Sequence, residues 1–242
     1  MKLIEKLRLI LRANKYKKSD KGEIAYIKSA INNGDTVFDI GAHKAGYLYY
    51  ILKQVGEKGK VVGFEPQTYL FHYLVKIKQL FQWKNVTIEN VALSNTTGHS
   101  NLYFPTDAAG KSSSPSATIM EHNNDAAFTS IEQVSIATLD EYCKQHYLIP
   151  QFLKIDVEGN ELNVFKGAAG TLTKYKPKII VEIEARHIGQ EKVIETIEFL
   201  QSLGYQGKII DGYNYIPLAQ FTFEKYQNLN NKKGYCNNFI FE

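Results

Sequence analysis

The sequence predicts a doubly wound, Rossmann-like α/β domain whose mostly parallel sheet ends in an antiparallel C-terminal edge and is preceded by an N-terminal helix. Three observations carry this. Short apolar runs alternate with longer segments of helical period, the mark of βα units. One of those runs leads straight into a glycine-bearing turn and then a helix. The chain closes on two further strand-like runs, with Asp211-Gly212 and Lys233-Gly234 supplying turn chemistry.

The elements follow in order. Met1 to Lys18 places Leu3, Leu7 and Ile10 on one helical face, with Ile4 and Leu11 beside them and basic residues around the rest. It lacks the long apolar centre and small-residue cleavage site of a signal peptide. This helix is expected to pack on its own domain or on a second copy, with a membrane surface as the alternative partner. Residues 1–34 form that helical segment on the core, and residues 35–242 form the main domain. Thr36 to Ile40, Val61 to Phe64, Val86 to Leu93, Phe152 to Val157 and Ile179 to Ile183 read as buried strands. Four helical stripes lie between or after them: Leu48, Ile51, Leu52, Val55; Leu70, Leu74, Ile77, Phe81; Leu162, Phe165, Ala169, Leu172; and Val193, Ile197, Leu200. Lys208 to Leu218 and Tyr235 to Phe241 are expected to finish one edge as an antiparallel pair. Pro105 to Gln133 is rich in turn formers and reads as a long loop, either a cover over a site or a surface insert.

Composition narrows the classes. The 242 residues suffice for a core without disulfide or metal staples, and no apolar run approaches the roughly 20 residues of a membrane span. A net charge of +4 with scattered lysines gives no nucleic-acid footprint. Cys143 and Cys236 lack CxxC spacing, so reduced thiols in a cytoplasmic protein are expected.

The chemistry concentrates at strand ends. In Asp39-Ile-Gly41-Ala42-His43-Lys-Ala-Gly46, Gly41 permits a sharp turn and close ligand approach, and Gly46 lets the helix start near the strand. The spacing departs from the dinucleotide GxGxxG, which weakens the rival reading of an NAD-dependent oxidoreductase. Asp39, just before the turn, suits the ammonium of a methionine moiety better than a diphosphate. Glu65 ends the next strand, where an acid accepts hydrogen bonds from ribose hydroxyls.

Five ordered segments then resemble the FkbM-type methyltransferases: Val37-Phe-Asp-Ile-Gly-Ala-His, Gly63-Phe-Glu-Pro, Asn90-Val-Ala-Leu-Ser, Leu139-Asp-Glu-Tyr and Leu153-Lys-Ile-Asp-Val-Glu-Gly-Asn-Glu, with Asn238-Phe-Ile-Phe like that family's last strand. The resemblance implies a class I methyltransferase fold over residues 35–242, S-adenosylmethionine as cofactor and O-methylation of a sugar, glycan or secondary metabolite. It implies that Asp39, Gly41, Ala42, His43, Gly46 and Glu65 hold the cofactor, with Ala92 and Leu93 near the adenine. His43 stands where many relatives have Asn or Gly.

Catalytic candidates come from the fourth strand and beyond. Lys154, Asp156 and Glu158 alternate with apolar residues and are expected on one face, with Lys154 neutralising an adjacent carboxylate. Glu182, Glu184, Arg186 and His187 follow at the next strand end. Asp156 is the first candidate for accepting a hydroxyl proton, with Glu158 and His187 behind it. A Mg²⁺ held by Asp156, Glu158 and Glu182 is the less favoured route. A third reading is a non-catalytic cofactor-binding or interaction module docked through the basic first helix.

Overall fold

The computed structural model describes residues 2–105, 117–119, 128–231 and 234–242. In chain order the elements are α1 (Lys2–Ser19), α2 (Lys21–Ala30), β1 (Thr36–Ile40), α3 (Gly46–Val55), β2 (Lys60–Phe64), α4 (Thr68–Phe81), β3 (Val86–Glu89), β4 (Ala92–Leu93), β5 (Gly98–Pro105) and β6 (Phe128–Ala137). They continue with α5 (Leu139–His146), β7 (Phe152–Ile155), α6 (Glu161–Lys166), α7 (Ala169–Tyr175), β8 (Lys178–Glu182), α8 (Ala185–Ser202), β9 (Gly207–Asp211), β10 (Asn214–Pro217), α9 (Phe223–Tyr226) and β11 (Asn238–Phe241).

An eight-stranded sheet has the order β10-β9-β11-β8-β7-β1-β2-β3. Its five strands from β8 to β3 are parallel, and β11 runs antiparallel to both β8 and β9. Period-two alternation feeds a core on each face. Phe38, Ile40, Leu153 and Ile155 join one core with α5 to α8, while Val37, Val61 and Phe152 join the other with α1 to α4.

The two C-terminal runs pair antiparallel as expected, through β9 and β11, but the edge is larger than that pair. Lys208 to Leu218 is mostly a hairpin of β9 and β10 turning at Asp211-Gly212, and β11 lies inside the sheet. Phe239 and Phe241 pack into one core and Ile240 into the other, so this strand has apolar side chains for both faces and belongs in the interior. Lys233 lies outside the described residues.

Three other expectations are corrected. Val86 to Leu93 is two strands, because Asn90 leaves the sheet and donates from Nδ2 to the Glu65 and Pro66 carbonyls at 3.0 and 2.8 Å. β4 joins β6 and β5 in a separate three-stranded sheet. Within the expected loop, Phe128 to Gln133 is strand. Its alternation has only one covered face, Val134 buried between exposed Gln133 and Ser135, which made it look polar. Residues 106–116 and 120–127 of that loop lie outside the described residues. The third helical stripe is likewise two short helices, α6 and α7.

The first helix docks through Leu9 and Ala13, which are buried, while Leu3, Ile4, Leu7 and Leu11 are exposed. A second helix, α2, buries Ile24, Ile27 and Ala30 in the same core. Cys143 and Cys236 are free thiols, the first buried and the second half-buried.

Candidate functional site

A cavity of about 180 Å³ lies beyond the C-terminal ends of β1, β2 and β7. It is several times the roughly 30 Å³ share of one water, so it is of ligand scale.

The β1–α3 turn forms one wall. Gly41 adopts φ +82°, and a Cβ there would fall 1.9 Å from the Asp156 carbonyl oxygen. His43 and Ala45 also have positive φ, 45° and 63°. Such strain persists only where surroundings over-determine it. Here the Gly41 and Ala42 N–H groups both donate to the Phe64 carbonyl at 3.0 Å, and Lys154 Nζ donates to the Gly41 carbonyl at 3.2 Å. Gly46 opens α3 directly beneath Tyr16 of α1, whose ring would lie 2.5 Å from an added Cβ.

Glu65 sits at the tip of β2, buried and on the cavity wall. Its carboxylate accepts from the His43 N–H at 2.8 Å and the Gln67 N–H at 3.0 Å. Burial pushes its pKa up to about 7, against the pull of those two N–H groups. His43 is held neutral, burial and then Lys44 lowering it to about 4, and its Nε2 is buried without a hydrogen-bond partner among the described residues.

Asp39 is placed differently from the other candidates. It lies under the turn at 1% exposure, off the cavity wall, with Lys154 Nζ 3.7 Å away. Burial raises it to about 6 despite that cation. Lys154 also pairs with Asp156 at 3.2 Å, and although burial disfavours its charge, Asp156 and Asp39 outweigh this and raise its pKa. The expected neutralising role of Lys154 therefore extends to two carboxylates. Of the other cofactor candidates, Gly41, His43, Ala92 and Leu93 line the cavity, whereas Ala42 and Gly46 sit behind it. Leu102, Ala117 and Ile119, from the small sheet and its neighbouring segment, complete the apolar side.

Opposite stands an acidic rim. β7 ends at Ile155, so the alternation expected from Lys154 to Glu158 stops early, and Glu158 reaches the cavity through a left-handed backbone, φ 53°. Asp156 and Glu158 line the cavity; His187 does not, but its Nε2 lies 3.3 Å from Glu158 and 3.1 Å from Glu184. Glu184 is buried and also bonded by Arg186 and Asn237. Burial, then Asp156, raises Glu158 to about 7, with His187 opposing. Burial and the Asp156 and Glu158 charges raise Glu182, which accepts from Asn237 Nδ2 at 2.8 Å. Glu161, raised to about 7 mainly by burial, accepts from the Gly159 N–H at 3.0 Å. Among the described residues no group of three or more His, Cys, Asp or Glu side chains is arranged to hold a metal ion.

Tyr16 also lines the cavity, brought there by α1 and stacked edge-on to Tyr47 at 5.2 Å. The sequence reading missed it. Leu9, Ala13 and Tyr16 do share the i, i+4, i+7 spacing of a docking face, but the stripe of Leu3, Leu7 and Leu11 is the more hydrophobic face of the helix.

A parallel sheet closed by the inserted antiparallel β11, with its cavity at the strand tips and an acid ending β2, defines the class I S-adenosylmethionine-dependent methyltransferase fold. Aeropyrum pernix fibrillarin, solved with natively bound S-adenosyl-L-methionine, shares this fold at 13% identity and a TM-score of 0.53, covering 91% of this chain and 73% of its own. The methyltransferase FkbM from Methylobacillus flagellatus KT is similar at 14% identity and a TM-score of 0.57 over 88% of this chain. This chain covers 44% of that longer protein. The chain belongs to the FkbM methyltransferase family, whose domain matches residues 39–206. No curated protein matches it in sequence. Family membership decides against the nicotinamide alternative. No helix among the described residues is long and apolar enough to cross a membrane.

Proposed function

We propose that the chain binds S-adenosylmethionine in this cavity and methylates a hydroxyl of a sugar, glycan or secondary metabolite. The observation that carries this reading is the pinned Glu65 carboxylate on one wall facing Asp156 and Glu158 on the other. The residues present fit the cofactor. Glu65 has lone pairs left for two ribose hydroxyls. Ala92, Leu93 and Leu102 offer an apolar face for adenine, and Gly41 leaves room where any side chain would collide with Asp156. Asp39, beneath the turn, helps set the negative field that suits an ammonium, together with Asp156.

When bound, S-adenosylmethionine supplies an electrophilic methyl group on a cationic sulfur. The chain then has to orient the acceptor oxygen and remove its proton, and positioning accounts for roughly 7–11 kcal/mol in well-oriented reactions. Glu158 is the better proton acceptor of the two rim acids, because its pKa of about 7 suits transfer near neutrality while Asp156 is tied to Lys154. His187 orients Glu158, and Glu184 fixes His187. A metal-free route is proposed.

Thermal unfolding with S-adenosylmethionine, its demethylated product and NAD tests the cofactor. Stabilisation by the first two, about 2.7 kcal/mol at a hundredfold excess over Kd, is expected. Stabilisation by NAD alone overturns the reading. Glu158→Gln is expected to keep product affinity while turnover falls about 10²-fold or more. Full turnover moves the base elsewhere.

A further inference from the structure

The unusual surface of this molecule is the outer face of α1. Of twelve large apolar or aromatic side chains exposed among the described residues, four are neighbours here: Leu3 at 78%, Ile4 at 55%, Leu7 at 53% and Leu11 at 59%. Single exposed leucines need no explanation, but a contiguous row on one helix does. The row Leu3, Leu7, Leu11 runs at i, i+4, i+8 and continues into Lys15, with Lys18 one turn further and Arg8 alongside, all exposed.

A groove between α1 and α4 extends this face. It is lined by Arg8, Arg12, Lys44, Lys76, His72 and the largely exposed Tyr69, with Glu5 offsetting part of the charge through Arg8 at 3.6 Å and Lys76 at 3.5 Å. Arg12 is fixed there, donating from Nη1 to the Lys44 carbonyl and the Tyr73 hydroxyl, both at 2.9 Å. The four cations exceed the one carboxylate, so the groove beside the leucine row is positive.

We propose that α1 docks the protein on an anionic lipid bilayer, with Leu3, Ile4, Leu7 and Leu11 entering the acyl boundary and the surrounding cations meeting lipid phosphates. Charge complementarity selects this occupant. A second copy seated on the same face has only Glu5 on its α1 to offer Arg8, Lys15 and Lys18, whereas an anionic bilayer satisfies both the apolar row and its basic rim. An amphipathic helix with a basic polar margin lies in the plane of the interface, its apolar side sunk about 5–10 Å. The docked side of α1 carries Tyr16 into the cavity, so the bilayer and the cavity share one helix. Presentation of an acceptor at that surface rests on the proposed function; the docking does not, and it is measured without cofactor or acceptor.

Flotation of the full chain with phosphatidylcholine vesicles, and with vesicles containing about 30% phosphatidylglycerol, tests it. Binding at least about tenfold tighter to the anionic vesicles is expected, weakening as salt rises. Leu7→Gln with Leu11→Gln is expected to cut partitioning at least about tenfold, and Lys15→Gln with Lys18→Gln to weaken it on anionic vesicles. All four positions are exposed, and unchanged thermal unfolding confirms intact folding. Equal binding to both vesicle types overturns the proposal. So does absence of vesicle binding, whether the chain sediments as a monomer or as a dimer that the leucine variant splits, the latter assigning the face to a second copy.

Discussion

On the β1–β2 side of the cavity, the Glu65 carboxylate is held by backbone N–H groups of His43 and Gln67, whereas on the β7–β8 side Glu158 has only the His187 imidazole beside it, at 3.3 Å, with Glu184 3.1 Å from the same nitrogen. The first arrangement is local. Its partners are the neighbouring turn and the residue two positions on, and its geometry is set by a strained turn that the surrounding hydrogen bonds hold in place. The second is assembled by side chains from separate segments and closed by Asn237, far along the chain. One wall is thus fixed by backbone, and the other is set by side chains, although both carry a carboxyl raised to about 7. Lys154 joins the walls, pairing Asp39 beneath the turn and Asp156 on the rim.

That joint gives the largest expected effect. Lys154→Met leaves buried Asp39 without its cation, and losing one partner of a buried pair costs about 3–5 kcal/mol. Denaturant unfolding should show the loss, and adding Asp39→Asn should recover part of it. No recovery would mean that the loss does not come from leaving Asp39 unpaired.

Gly41→Ala comes next. The left-handed backbone and the overlap with the Asp156 carbonyl together predict a loss of about 2–4 kcal/mol and weaker binding of the demethylated cofactor. Unchanged affinity by titration calorimetry would show that the turn is not the fixed wall described above.

The smallest effect is a slope with pH. Glu23, Glu65, Glu158 and Glu161 are raised from 4.5 to about 7 when folded, chiefly by burial. Between those values the folded state binds more protons than the unfolded one, so their contribution is complete below about 4.5 and lost as pH rises through about 7. His43, lowered from 6.5 to about 4, acts in the opposite sense over that lower window. Asp39, raised from 3.8 to about 6, and Glu182, raised well above 4.5, act in the same sense as the four glutamates. With six groups against one, the melting temperature without ligand should fall from about pH 5 to about pH 7.5. Glu65→Gln should flatten the slope, and an unaltered slope would remove Glu65 from the set.

Much of the fold was legible because its signals are local. The runs around Phe38, Val62, Leu153 and Ile180 are apolar on both faces, and the stripes of α3, α4 and α8 repeat at helical spacing. The small sheet was hidden, since β5 and β6 cover only one face and their polar residues imitate a loop. The interior position of β11 needed both cores to be known, although Phe239, Ile240 and Phe241 already carried apolar groups for each.

For the site, the sequence by itself determined the turn from Asp39 to Gly46 and the acid at Glu65, because a strand end, a left-handed glycine and a strand-tip carboxylate depend on neighbours within a few residues. Only the tertiary structure decided that Asp39 lies beneath the turn with Lys154, that Glu158 meets His187, and that α1 turns Leu9 and Tyr16 inward and Leu3, Leu7 and Leu11 outward. Those choices depend on which distant surfaces compete for each side chain, and burial between elements far apart in the chain leaves no local period to read.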